Sequence, residues 1–208
     1  PDAGKFPHML ATFPADDLFS QGPRTLIEDP EGGCVYIPGA VERARADAWF
    51  EALRDAVDWQ HLQRPMYDRI VDVPRLTAGY RLDGSEPLPP ALAAATDIVR
   101  ARYATPFTHV GLNYYRGARD SVAPHNDKLH TLVAPHPIVL LSLGDARRME
   151  IREKAPPRRV VRIDLEPGSL LAMSHAMQST HDHGIPKSKH AVGPRISLAF
   201  RVRPAKPA

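Results

Sequence analysis

The sequence predicts an α+β protein whose core is a double-sheet jelly roll, with N-terminal helices packed on one sheet. Helical periodicity is confined to the first half of the chain, and short strand-like segments follow from residue 107 onward. Gly, Pro and Asp separate these segments, as they do in sandwiches and barrels. The length of 208 residues suits one domain. We therefore expect an N-terminal extension over residues 1–32 and a single domain over residues 33–208.

The first half of the chain is predicted to contain one strand and two helices. Residues 34–37 form a short apolar run that ends at Pro38-Gly39, which indicates a strand. Residues 41–57 carry apolar side chains at spacings of three and four, as an amphipathic helix does. Residues 90–103 are predicted to be a second helix, with proline near its first turn. Residues 1–32 are rich in Pro, Gly and Asp and are expected to be irregular.

The second half is predicted to consist of short strands, because apolar and polar residues alternate between turn-forming clusters. The expected strands cover residues 107–115, 122–127, 138–143, 148–152, 159–165, 169–173 and 195–203.

Composition excludes several classes of protein. No apolar run approaches the roughly 20 residues of a spanning helix, so we expect no membrane association. The single cysteine, Cys34, allows neither an internal disulfide nor a cysteine zinc site, and we expect it to be buried. A cytoplasmic protein without an obligate protein partner is the expectation. Residues 147–208 carry 13 Lys and Arg against 5 Asp and Glu, which indicates either an anionic partner or a solvated basic face.

The motif His125-Asn-Asp127 carries the first chemical signal. Residues two apart in a strand share a face, so this imidazole and carboxylate project side by side. Two histidines and one carboxylate form the facial triad of non-haem Fe(II) oxygenases, which leaves positions open for co-substrate and oxygen. His181 and His183 are the candidates for the second histidine.

A second signal lies in the alternating segment Arg195–Arg201. Its two end arginines share a face otherwise lined by small residues, which indicates a recess for an anion, and two guanidiniums suit a dicarboxylate. A polar edge facing solvent is the alternative. Asn113 and Tyr115 also share a strand face and offer an amide and a phenol to the same anion.

In this order, the motifs resemble the AlkB family of Fe(II)- and 2-oxoglutarate-dependent dioxygenases, over about residues 33–203. Three phrases resemble the DNA-repair branch of that family: Asn113-Tyr-Tyr-Arg-Gly-Ala-Arg119, Gly168-Ser-Leu-Leu-Ala-Met173 and Pro194-Arg-Ile-Ser-Leu-Ala-Phe-Arg201. Val73-Pro-Arg-Leu-Thr-Ala78 does so as well. The resemblance implies the double-stranded β-helix, a form of jelly roll, which agrees with the strand pattern.

The resemblance also implies roles for particular residues. His125, Asp127 and His183 are the implied iron ligands, His183 being preferred to His181 because Gly184-Ile-Pro186 matches the stretch after the family's ligand. The implied 2-oxoglutarate contacts are Arg195 and Tyr115 at the distal carboxylate, with Arg201 and Asn113 near the carboxylate beside the keto group.

The sequence departs from the family where the damaged base would be read. Leu129 stands where repair members usually have an acid, and the segment after Pro74-Arg75 is shortened. Tyr80 is the only aromatic residue left there and is either a stacking residue for the base or a core tyrosine. Arg158, beside Pro156-Pro157, is either a phosphate contact or a plain exposed turn residue.

The resemblance implies oxidative demethylation of N-alkylated bases in DNA, or in RNA. Fe(II), 2-oxoglutarate and O2 are the implied cofactor and co-substrates, and formaldehyde, succinate and CO2 the products. The expected partner is a single strand or a flipped base. Two alternatives stay open: a 2-oxoglutarate dioxygenase acting on a protein, lipid or small molecule, and a binding module without turnover.

Overall fold

Two antiparallel sheets form the jelly roll that the sequence predicts. The computed structural model describes residues 22–66 and 69–205. Within these ranges, the strands are β1 Arg24–Ile27, β2 Cys34–Ile37, β3 Gln63–Met66, β4 Arg69–Asp72, β5 Leu76–Arg81, β6 His109–Tyr115, β7 Val122–His125, β8 Ile138–Gly144, β9 Arg147–Glu153, β10 Val160–Leu165, β11 Leu170–Met173, β12 His181–Ile185 and β13 Arg195–Arg201. The helices are α1 Arg43–Ala56, α2 Pro90–Arg102 and α3 Met177–Thr180, with a 3-10 turn at Leu129–Thr131.

The large sheet has the strand order β1-β2-β11-β8-β13-β6-β5, and the small sheet has the order β10-β9-β12-β7. Strands β3 and β4 form a separate hairpin. Side chains alternate between the two faces of a sheet, and nearly every residue of β8 and β13 is buried. The large sheet therefore needs cover on both sides, and the small sheet supplies it on one of them.

The helices cover the other face of the large sheet. Helix α1 turns Ala46, Phe50 and Leu53 inward, and they are buried with Leu141 of β8 and Leu198 of β13. The spacing of four and three between the first three residues places them on one helix face, as predicted. Both predicted helices are confirmed: α1 is shorter than expected by two residues at its start and one at its end, and α2 begins at the expected residue and ends one residue early.

A second apolar cluster fills the space between the sheets. It joins large-sheet residues such as Leu140 and Leu171 to small-sheet residues such as Ile151 and Ile185. Cys34 belongs to this cluster and is fully buried, as expected. Burial raises the pKa of its thiol to about 12, which leaves it protonated and unreactive.

Five strands lie where the sequence did not predict them: β1, β3, β4, β5 and β12. Strand β1 falls in the segment expected to be irregular, yet it pairs with β2 at the edge of the large sheet. The part of the predicted extension that the structure describes therefore adds a strand to the large sheet. Residues 1–21 lie outside the described residues. Strand β12 has the polar sequence His-Asp-His-Gly-Ile, and its pairing with β7 and β9 overrides this weak strand propensity.

The described helices include none with the length and apolar character needed to traverse a bilayer.

We expect Leu141→Ala to lower the free energy of unfolding by about 2–5 kcal/mol, because it leaves a cavity between the large sheet and α1. Leu141 is fully buried, whereas Leu62 is 49% exposed and provides a matched control. Urea unfolding measures both variants. Similar losses for Leu141→Ala and Leu62→Ala would contradict the assigned core.

Candidate metal and anion site

Strand pairing brings two histidines together. In the β7–β12 register, His183 lies opposite His125, and their ring centroids are 4.6 Å apart. Gly184 allows this close pairing, since a Cβ there would lie 2.9 Å from the carbonyl oxygen of Val122. His181 pairs with Glu153 instead, and its Nδ1 lies 2.8 Å from the Thr180 hydroxyl.

Both rings are suited to bind a metal through a neutral imidazole. His125 Nδ1 lies 2.9 Å from the Ala123 carbonyl oxygen, which accepts only, so Nδ1 is the donor and Nε2 is the atom left to face a metal. His183 is buried, and this burial, with repulsion from His125, lowers the pKa of His183. A neutral ring is the form that coordinates a metal.

Asp127 follows β7 and is held at two points. Its Oδ2 accepts a hydrogen bond from Arg201 Nε at 2.7 Å, and its backbone N–H donates to Gln178 Oε1 at 3.0 Å. Burial raises the pKa of Asp127, but the charge and hydrogen bond of Arg201, together with the neighbouring His183 and His125, lower it by more. The net pKa lies below its usual value, and the carboxylate is ionised near neutral pH.

The donor set fits Fe(II): two neutral imidazoles from His125 and His183, and one carboxylate from Asp127. Across the described ranges, no three His, Cys, Asp or Glu side chains converge into a complete metal cluster. The Asp127 carboxylate is instead paired with Arg201. Metal binding would therefore use a carboxylate that is already fixed by a guanidinium.

The anion recess centres on Arg195, whose side chain is 1% exposed. Its Nε donates to Ser142 Oγ at 2.8 Å, while Nη1 and Nη2 find no hydrogen-bond partner among the described residues. Burial lowers the pKa of Arg195 to about 10, so the group is still a cation at neutral pH. A buried cation with two unused donor atoms suits a carboxylate ligand.

The pairing of β6 with β13 aligns the other recess residues. Tyr115 lies opposite Arg195, and the guanidinium carbon of Arg195 is 5.3 Å from the centroid of its ring. Asn113 lies opposite Ser197, and its Oδ1 accepts a hydrogen bond from Arg75 Nε at 2.7 Å. The predicted residues from β6 and β13 thus share one inner face of the large sheet.

The sequence did not indicate Arg75, Ser142 or Gln178, although each contacts a predicted site residue. Ser142 shares the face of Ser197 across β8 and β13, which only the strand order reveals. Arg75 lies in the Val73–Ala78 segment that carries part of the family resemblance. The sequence therefore shows that this arginine is present, but it does not show its hydrogen bond to Asn113.

The two predicted substrate residues lie outside this recess. Tyr80 pairs with Val110, on the opposite sheet face from Asn113, and packs against the helix-covered cluster. This position favours the interpretation of Tyr80 as a core residue over its interpretation as a residue that stacks on the base. Arg158 lies exposed in the β9–β10 turn with φ of 57°. The exposed Leu129 lies in the 3-10 turn that follows Asp127.

The basic surplus after residue 147 is only partly available at the surface. Arg147 is buried and donates to the carbonyl oxygens of Gly117, Asp120 and Pro186. It therefore anchors the loop between β6 and β7. Arg148 and Arg162 form ion pairs with acidic neighbours on the outer face of the small sheet.

Comparison with known proteins agrees with this geometry. A model described as the 2OG-Fe(II) oxygenase superfamily matches residues 33–201, so the chain belongs to that superfamily. DNA oxidative demethylase ALKBH2 from Homo sapiens is 31% identical over 180 residues, which cover 76% of this chain and 69% of that protein. Within the superfamily, the chain is a member of the AlkB family.

A further relative is alpha-ketoglutarate-dependent dioxygenase alkB homolog 3. The protein from Mus musculus is 33% identical over 187 residues, and that from Bos taurus is 34% identical over 183 residues. These matches cover 81% and 79% of this chain. The chain spans only 65% and 64% of the length of those two relatives.

Solved structures share the fold. A prolyl hydroxylase from Trichoplax adhaerens, in complex with a hypoxia inducible factor peptide fragment, superimposes with a TM-score of 0.59 at 14% identity. It covers 81% of this chain and 83% of its own. OsALKBH1 gives a TM-score of 0.53 at 15% identity, over 82% of this chain and 97% of its own. At such identities the likeness concerns the fold alone.

We expect Arg195→Met to abolish stabilisation of the protein by 2-oxoglutarate. At a hundredfold excess over Kd, ligand binding should raise the wild-type melting temperature by about 5–10 °C in the presence of Mn(II). The variant should show no such rise, yet its ligand-free melting temperature should match or exceed that of the wild type, because an unpaired buried cation is removed.

Thermal unfolding with and without 2-oxoglutarate measures both effects. Arg148→Met is the matched control, since Arg148 is exposed and paired with Asp164. A full response to 2-oxoglutarate in Arg195→Met would contradict the assigned recess.

Proposed function

We propose that this protein oxidatively demethylates N-alkylated bases in DNA, consuming 2-oxoglutarate and O2 and releasing formaldehyde, succinate and CO2. The observation that carries the proposal is the buried guanidinium of Arg195, whose Nη1 and Nη2 lack partners among the described residues. The name of the human relative, DNA oxidative demethylase, supports the choice of substrate.

Each proposed role follows from a contact in the site. Fe(II) held by His125, Asp127 and His183 would supply the O2-dependent oxidation of a C–H bond. Arg195 and Tyr115 bind the distal carboxylate of 2-oxoglutarate, because they form the most deeply buried part of the recess. This depth also excludes water from the salt bridge between Arg195 and the carboxylate.

Arg201 has two partners in this proposal. It holds Asp127 through Nε, and its Nη2, with the Asn113 amide, would bind the carboxylate beside the keto group, while its Nη1 also donates to the Ala199 carbonyl oxygen. One guanidinium thereby orients a metal ligand and a co-substrate group together. Arg75 fixes the amide of Asn113, which leaves that side chain in one orientation.

A base inside a duplex is out of reach of a buried site, so the substrate is a single strand or a flipped base. The β9–β10 turn supplies Arg158 and Arg159 at the end of the small sheet where Glu153 pairs with His181. This end also carries His183, two residues further along β12. These two arginines would bind backbone phosphates, and the affinity for nucleic acid would then depend strongly on salt concentration.

A second candidate function is supported by the residues expected to read the base. Leu129 is 38% exposed where an acid was expected, and Tyr80 packs on the far face of the large sheet. These features favour keeping a 2-oxoglutarate dioxygenase with another substrate, such as a protein side chain. The iron and co-substrate residues would be the same in both cases.

We expect the protein to remove the methyl group from 1-methyladenine or 3-methylcytosine in a single-stranded DNA oligonucleotide. Mass spectrometry after incubation with Fe(II), ascorbate and 2-oxoglutarate in air should show the loss of one methylene's mass. Asp127→Ala should show no such loss, because it removes a proposed metal ligand and the partner of Arg201.

The outcomes separate the candidates. Succinate formation without demethylation would contradict the proposed substrate and support the second candidate. Absence of both products would contradict a dioxygenase. Demethylation that survives Asp127→Ala would contradict the assigned iron ligands.

A further inference from the structure

The ammonium group of Lys154 joins three segments that surround the proposed metal ligands. Its Nζ donates to Asn126 Oδ1 at 2.9 Å and to the Gln178 carbonyl oxygen at 2.9 Å. The carboxylate oxygen Oδ1 of Asp182 lies 3.7 Å away. An ammonium has three N–H donors, so these three acceptors match its capacity.

Each acceptor lies next to a proposed ligand in the chain or in space. Asn126 stands between His125 and Asp127, and Asp182 directly precedes His183. The side chain of Lys154 therefore ties the turn after β7 to the start of β12. No acceptor in this set is itself a proposed ligand, so Lys154 acts on the ligands only through their neighbours.

Gln178 completes the connection to Asp127. Its side chain is 1% exposed, and its Oε1 accepts the backbone N–H of Asp127 at 3.0 Å. Its own carbonyl oxygen accepts a hydrogen bond from Lys154. Lys154, directly after β9, and Gln178, in α3, thus form a chain of hydrogen bonds that ends at the backbone of Asp127.

This connection matters because β7 ends at His125. Beyond that residue, strand pairing no longer fixes the backbone, and the position of Asp127 depends on other contacts. Gln178 holds its main chain, and Arg201 holds its carboxylate. Lys154 is anchored in turn by its backbone N–H, which donates to the Thr180 carbonyl oxygen at 2.9 Å.

We propose that Lys154 and Gln178 are positioning residues that fix the His125–Asp127 turn against His183 and thereby set the metal affinity of the site. This inference rests on the proposed function, because it takes those three residues as metal ligands. Partners of metal ligands typically contribute about 10- to 100-fold to metal affinity, and a network of this kind acts on a ligand's backbone in the same way.

The test uses the full chain and Mn(II), with free Mn(II) followed by its electron paramagnetic resonance signal. We expect Lys154→Met to weaken Mn(II) binding about 10- to 100-fold. Lys128→Met is the matched control: Lys128 is an exposed lysine adjacent to Asp127, and its loss should change the Mn(II) affinity by less than about twofold. Melting temperatures without metal verify that both variants fold.

Gln178 provides an independent pair of variants should Lys154→Met fail to fold. Gln178→Met removes the acceptor for the Asp127 N–H and should weaken Mn(II) binding in the same range, about 10- to 100-fold. Gln178→Glu keeps an acceptor oxygen and should recover most of the affinity. A residue needed only for stability would not show this recovery.

Wild-type Mn(II) affinity in folded Lys154→Met and Gln178→Met would overturn the positioning role. Absence of Mn(II) binding by the wild type would overturn both this role and the iron site. Metal binding that weakens in the variants, in a protein that fails to demethylate DNA, would support the positioning role and contradict only the proposed substrate.

Discussion

The buried guanidinium of Arg195 is the constraint on which the rest of the site depends. A cation removed from water is costly unless it is paired, and among the described residues Ser142 and Tyr115 are the partners of this guanidinium. The cost is tolerable because strand β13 is fixed on both sides, by β6 and by β8. The fold thus buries a cation that a carboxylate ligand would neutralise.

The two sheets supply different parts of the site. The large sheet contributes Arg195 and Arg201 from one strand, whereas the small sheet contributes His125 and His183 from a strand pair. The bond between Arg201 and Asp127 spans the space between them and is the direct link from recess to ligands. A shift in either sheet would therefore displace both the proposed metal ligands and the proposed co-substrate contacts.

Much of this arrangement was predictable because it follows from strand alternation. The spacing of Arg195 and Arg201 fixed their shared face, and the two predicted helices followed from their apolar periodicity. Strand β12 was missed because its polar sequence resembles a loop, and only pairing with two neighbours makes it a strand.

No local sequence pattern could predict the contacts of Gln178, Arg75 and Lys154. Gln178 reaches Asp127 across 51 residues, Arg75 reaches Asn113 across 38, and Lys154 reaches Asn126 across 28. The face of Tyr80 likewise depends on its register with β6, which the sequence does not contain. The contacts of supporting residues depend on the tertiary fold, whereas motif residues can be recognised in the sequence by their type and spacing.

In the proposed site, Arg195 pairs with the distal carboxylate of a bound 2-oxo acid. The most direct measurement is calorimetric titration of the Mn(II)-loaded protein with 2-oxoglutarate and with 2-oxobutyrate, which lacks that carboxylate. Loss of a buried charge partner predicts that 2-oxobutyrate binds about 100-fold more weakly, or worse. Affinities within about threefold of each other, less than 1 kcal/mol apart, would contradict the claim.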